Sequence, residues 1–189
     1  MVALPRGKQR RRRLSAISII GPNLRNRQPK MPTINAARLL EDLDQLRRFG
    51  EQASGVVRPA FSEADIQARH WLREQFKQAG LRSVIDGVGN VLGYSRNPGK
   101  AILIGSHADS QPTGGWLDGA MGVIYALEVA RTLSESPAHR HLAVDIVALQ
   151  DEESRFLGCL GSRSLCGTLD HQAEQDAVDK DGIRLIDAI

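Results

Sequence analysis

Aromatic residues make up only 4% of the 189 residues. None lies in the basic amino-terminal leader, so no stacking platform for single-stranded nucleic acid is visible there. Cysteine is scarce: Cys159 and Cys166 are the two present, and they do not form a CxxC pair. That argues against a disulfide framework or a zinc knuckle and fits a reducing cytosol. No apolar run approaches the roughly 18 residues of a membrane-spanning helix. Internal repeats are also missing. With 41% hydrophobic and 25% charged residues, the composition is that of a chain able to build a core, which excludes wholesale disorder.

Acidic residues are absent from the first 40 positions, which carry ten Lys and Arg. The other 149 residues hold 15 basic against 22 acidic side chains, a balance of −7, so the net charge of +3 belongs to the leader and the body is acidic. An arginine-rich, acid-free leader has the composition of an organellar address or of an arm for anionic partners. The preferred reading is a disordered extension over residues 1–31, or a start codon placed too early, with Met31 as the real start, since the segments around the arginines show no amphipathic period. Leu14–Ile20 is too short and interrupted for a secretory signal. Nucleic acid and membrane are not expected partners, and the expected location is cytoplasmic.

Order is expected from about residue 32. Asn35 is placed to cap a helix over 36–49, with Leu39, Leu40, Leu43 and Leu46 at helical spacing. Residues 51–61 read as a loop. Ser62, with Asp65 three positions on, resembles a capping box before a helix over 63–79, and Gly80 closes it. Two short strands, 81–85 and 90–94, flank the turn Asp86-Gly87-Val88-Gly89. Residues 101–105 form an apolar run of the kind buried on both sheet faces. A helix over 119–133 and a second apolar strand over 144–149 complete a βαβ unit. The fold class is therefore α/β, a mixed and largely parallel sheet flanked by helices.

The segments just beyond the two buried strands carry the chemistry. The first strand ends in Gly105-Ser106-His107-Ala108-Asp109-Ser110, and Asp118 opens the next helix. The second ends in Gln150-Asp151-Glu152-Glu153-Ser154-Arg155-Phe156. Sites in open α/β sheets form at the carboxyl ends of strands, which gathers His107, Asp109, Asp118, Asp151, Glu152 and Glu153 near one crevice. Each alone has an ordinary explanation: a surface histidine, a solvated acidic loop, a helix N-cap at Asp118. Together they repel unless a proton or cation intervenes, and zinc-like cations take imidazole and carboxylate jointly. A carboxylate two residues after His107 is placed to accept the other imidazole N–H. His139 and His141 sit at the opposite end of the second strand, His70 lies mid-helix and His171 in the polar tail; none is a chosen ligand.

These segments, with Gly114-Gly115-Trp116-Leu117-Asp118-Gly119-Ala120-Met121-Gly122-Val123 and Gly161-Ser162-Arg163, resemble the metal-dependent amidases of the N-carbamoyl-L-amino-acid hydrolase and allantoate amidohydrolase family. That family lies within the aminoacylase and zinc-exopeptidase group. The resemblance spans about Pro32 to the end. It implies a catalytic domain holding two divalent ions, Zn or Mn, that hydrolyses a non-peptide C–N bond of a small-molecule amide. His107 is then a terminal metal ligand, Asp118 a bridging ligand and Asp109 the residue that orients His107. Glu152 is the general base and Glu153 a ligand of the second metal. The family writes a Gly after its Glu pair where Ser154 stands here, and counting back from Arg155-Phe156 moves these roles to Asp151 and Glu152. Family members are longer, with two further histidine ligands and a dimerising domain, so 32–189 is expected to be an amino-terminal part, with dimerisation reserved for the full-length form and little activity alone. A non-catalytic domain of the same fold, or an aminoacylase or peptidase activity, stays open beside it.

Overall fold

The computed structural model describes residues 30–53, 55–111 and 115–189. The expectations for the leader up to residue 29 and for Gly114 fall outside these. In chain order the elements are α1 (Ala36–Arg48), β1 (Glu51–Gln52), β2 (Gly55–Val56), α2 (Glu63–Gln78), β3 (Arg82–Ile85), β4 (Val91–Tyr94) and β5 (Ile102–His107). They continue with α3 (Ala120–Glu135), β6 (Val144–Leu149), α4 (Leu160–Leu165), α5 (His171–Asp176) and α6 (Leu185–Ala188). Among the described residues no helix is long and apolar enough to cross a membrane.

Local sequence explains the helix starts. Asn35 Oδ1 accepts the Arg38 N–H and Ser62 Oγ that of Asp65, each satisfying a donor that the first helical turn cannot. The capping box is only half formed. The Asp65 carboxylate accepts the Phe61 N–H at 2.8 Å instead of that of Ser62, because it is also held by Arg69 and Gln150. The segment 51–61 is not wholly loop, since β1 and β2 pair as a small antiparallel hairpin.

The main sheet has the order β3-β4-β6-β5. β3 and β4 form the expected hairpin, and Asp86 organises its turn by accepting the N–H groups of Val88 and Asn90. β5, α3 and β6 form the expected βαβ unit, with β5 and β6 parallel in the register His107↔Leu149. The sheet is mixed, but the "largely parallel" expectation is corrected: β3–β4 and β4–β6 are antiparallel and only β5–β6 is parallel. A sequence pattern identifies a crossover, while the hairpin's attachment to β6 is a tertiary choice. Helices α1, α2 and α3 share one core with the sheet, built on Leu43, Leu72, Phe76, Val123, Ile124, Leu127, Ile146 and Ala148. A smaller cluster joins Val88, Leu160, Ala177 and Leu185 under the carboxyl-terminal helices.

The expectation that residues 101–105 are buried on both faces is also corrected. β5 is an edge strand among the described residues, and Ile102 and Leu103 are 69% and 47% exposed. An apolar run reports what a strand is suited to, not how many neighbours it has.

Candidate metal centre

The two parallel strands stop level with one another, so their exit loops leave side by side. His107 is the last residue of β5 and is buried. Its Nε2 faces Glu152 Oε2 at 3.5 Å. Donor atoms of His107, Glu152 and Glu153 all lie within 4.8 Å of one another. Glu153 is steadied by Gln111, whose Nε2 donates to Oε2 at 2.7 Å.

Asp109 lies buried beside this cluster, but its contact with His107 is not the carboxylate–imidazole hydrogen bond that the His-x-Asp spacing suggests. His107 Nδ1 is 3.0 Å from the Asp109 main-chain carbonyl, while the carboxylate Oδ1 stands at 3.7 Å. Oδ2 accepts the Glu153 N–H at 3.1 Å, which ties the β5 loop to the β6 loop. Oδ1 is buried without a hydrogen-bond partner. Burial opposes a charge on His107, but the Asp109 and Glu152 carboxylates outweigh it and raise its pKa. For Asp109, burial is outweighed by His107 and Arg69, and the pKa falls.

Asp118 is not brought into the cluster. It is exposed, and its Oδ1 accepts the N–H of Gly119 at 3.0 Å. Nor is it the helix cap, since α3 begins after Gly119 without a side-chain cap. Gly119 itself is required here. Its φ is +63°, and a Cβ would stand 2.5 Å from the His107 ring, so the imidazole occupies the space a side chain would take. Asp118 therefore lies one residue from the histidine wall of the site.

Asp151 has a different place from its neighbours. It is fully buried, and its carboxylate accepts the N–H groups of Arg155, Phe156 and Leu157 at 2.6–2.9 Å. Burial raises its pKa against those three donors. The same bonds stabilise the left-handed backbone at Asp151, φ 50°, a conformation that Asp tolerates better than most residues. Ser154 is also left-handed, φ 66°, in the loop where the resemblance expects a glycine. His139 and His141 precede β6 and lie at the other end of the strand from His107, as expected.

Two residues that sequence reasoning passed over support the site from below: Arg58 and Arg69, both buried. Burial pushes the Arg58 guanidinium down to about 10, with Asp65 and Asp109 opposing that fall. The available signal was Arg69 at i+4 from Asp65 on the apolar side of its helix. A cleft of about 530 Å³ adjoins the cluster and is lined by Asp109, Gln111, Glu153, Arg155, Phe61 and Lys180, among others.

The chemistry of this donor set, one imidazole and two carboxylates around a ring pinned by its second nitrogen, fits a divalent cation. Peptidase family M28 matches residues 90–183. An amidase of the hydantoinase/carbamoylase family from Burkholderia phymatum superposes with a TM-score of 0.82 at 52% identity, over 84% of this chain and 39% of that one. Over most of its own length the chain is similar to amidases of the hydantoinase/carbamoylase family. The N-carbamoyl-L-amino acid amidohydrolase of Geobacillus stearothermophilus is 36% identical over 82% of this chain and 39% of its own length. The allantoate amidohydrolase of Bacillus subtilis is 30% identical over 76% and 36%. The chain thus spans about two fifths of the length of these amidases.

Proposed function

We propose that residues 32–189 are part of a metal-dependent amidase catalytic domain that hydrolyses a non-peptide C–N bond of a small molecule, an N-carbamoyl-L-amino acid or allantoate. The observation that carries this reading is the convergence of His107, Glu152 and Glu153 at the ends of two parallel strands. His107 Nε2 and the Glu153 carboxylate are the holding donors. Asp118, next in the chain to Gly119 at the His107 ring, is the third donor of this reading. A bound Zn or Mn ion supplies Lewis acidity toward the scissile carbonyl and toward water.

Glu152 is the proton carrier in this reading. It is the more exposed partner of its pair with His107 and reaches Nε2 from the open side. It removes a proton from the attacking water and delivers it to the departing nitrogen. For an N-carbamoyl amino acid the C–N bond breaks to the free amino acid, with carbon dioxide and ammonia as the other products. The buried, triply bonded Asp151 supports the register in which Glu152 and Glu153, not Asp151, face the reaction. Asp109 keeps the imidazole oriented, and its Oδ2 keeps the Glu153 backbone in place.

Three donors do not complete two coordination shells, so we expect the 189-residue chain to bind a divalent ion and to turn over substrate negligibly by itself. Free, exposed Cys159 and Cys166 suit a cytoplasmic location. The test is calorimetric titration with Zn²⁺ or Mn²⁺, alongside hydrolysis assays on N-carbamoyl amino acids, allantoate and a dipeptide. Metal binding lost in His107→Ala supports the reading. A folded protein that binds no metal, or whose binding ignores that substitution, sinks it, and dipeptide turnover moves the activity to the peptidases.

A further inference from the structure

Neither Arg58 nor Arg69 enters the chemistry above, yet both guanidinium groups are buried beneath it. Removing such a charge from water costs several kcal/mol unless its N–H groups find acceptors. Here most acceptors are main-chain carbonyls at places the site depends on. Arg58 Nε donates to the carbonyl of Ala108, the residue between His107 and Asp109, at 2.7 Å. Its Nη1 donates to Leu46 O at 2.7 Å and Phe49 O at 2.8 Å, the carbonyl end of α1. The Arg58 main chain grips the same loop: its N–H donates to Ser110 Oγ at 3.0 Å and its carbonyl accepts the Ser110 N–H at 2.9 Å.

Arg69 serves the other loop. Its Nη1 and Nη2 donate to Ala148 O at 3.3 Å and Leu149 O at 3.2 Å, the last two residues of β6, and Nη1 also reaches Gly89 O at 3.1 Å. Nε stands 3.0 Å from Asp65, which anchors the fork to its own helix and also accepts from Gln150 Nε2. Nη2 is 3.8 Å from Asp109 Oδ1, the carboxylate that spans the two loops. One arginine thus holds the exit of β5 and the other the exit of β6.

The geometry points to Arg58 and Arg69 as paired positioning residues that set the separation of the His107 loop from the Glu152–Glu153 loop, so that the donor cluster exists before any ion arrives. The inference rests on reading that cluster as a cation site. A planar fork is needed because one ammonium cannot reach a carboxylate and three carbonyls at fixed angles. A preformed cluster binds its ion without first ordering the loops, which is where affinity is gained.

Co²⁺ titration of the full chain tests this, followed by its visible absorption, with urea unfolding of the same samples. Arg69→Lys and Arg58→Lys should each weaken Co²⁺ binding at least about tenfold, as outer-partner losses at metal sites do, and should alter the absorption band. Arg131→Lys is the control. Arg131 is buried too, but it pairs with Asp42 and Gln75, away from both loops, so it should lose stability with Co²⁺ affinity and spectrum unchanged. If a lysine variant does not fold, Asp65→Asn takes its place; it keeps the guanidinium and removes its anchor, and the same weakening is expected. Folded variants with wild-type affinity and spectrum overturn the inference, as does a loss no larger than that of Arg131→Lys. Collapse of Arg58→Lys, Arg69→Lys and Asp65→Asn alike assigns these residues to stability and overturns it as well. Wild-type protein that binds no Co²⁺ overturns the cation reading along with this inference, whereas wild-type binding that the variants leave intact overturns this inference alone.

Discussion

β5 and β6 are parallel neighbours of six residues each, both rich in aliphatic side chains, yet their surroundings differ sharply. β6 has a partner on each side, and Ile146 and Ala148 are fully buried. β5 has a partner on one side among the described residues, and its first two side chains are largely exposed. At their carboxyl ends the difference disappears: His107 and Asp151 are both buried, and the loops they open are cross-linked by Asp109. Burial along a strand follows its neighbours, whereas burial at the strand ends follows the polar network that joins the two loops. The site sits where the edge strand is best held.

Four experiments put this contrast at risk. The largest effect belongs to the inner strand. Ile146→Ala should cost about 2–5 kcal/mol of unfolding free energy, measured by urea titration, because it empties a site touching α2 and α3 packing. A loss under about 1 kcal/mol would mean that the β6 side of the core is loosely packed. Next comes the metal. His107→Ala should weaken Zn²⁺ binding by at least the roughly 10–100-fold that loss of an outer partner causes, read by calorimetry.

Gly119→Ala comes third. The backbone at Gly119, φ 63° and ψ −56°, costs about 1–3 kcal/mol for a residue with a Cβ, and the methyl would also displace the imidazole. Both a lower unfolding midpoint and weaker metal binding are expected. Unchanged metal affinity would separate ring placement from α3. The fourth test pairs pH with the edge. Because the folded protein raises the pKa of His107 above its usual 6.5, protonation stabilises the metal-free fold. That contribution is full below about 6.5 and fades as pH rises through the folded value, so wild type minus His107→Gln in urea should shrink from about pH 5.5 to about pH 8. On the same axis Ile102→Thr should stay within about 0.5 kcal/mol, since a largely exposed side chain loses little. A larger cost would mean that the β5 edge is covered in solution.

Much of this is written locally. Caps at Asn35 and Ser62, the Asp86 turn and the span of β6 follow from neighbours a few residues apart, where side-chain chemistry and periodicity act directly. So does the gathering of His107, Glu152 and Glu153, because a βαβ unit brings the ends of its two strands together whatever the rest of the sheet does. The amino-acid sequence was enough for these elements and for bringing His107 and the acidic segment after β6 to one end of the sheet. Three-dimensional packing was needed to make β5 an edge, to leave Asp118 outside the cluster and to bury Asp151 under three backbone donors. It also draws Arg58 and Arg69 out of solvent to hold the two loops. The reason is range. Arg58 and Ala108 are 50 residues apart and Arg69 and Leu149 are 80 apart, and no local pattern encodes which distant carbonyl a guanidinium will find.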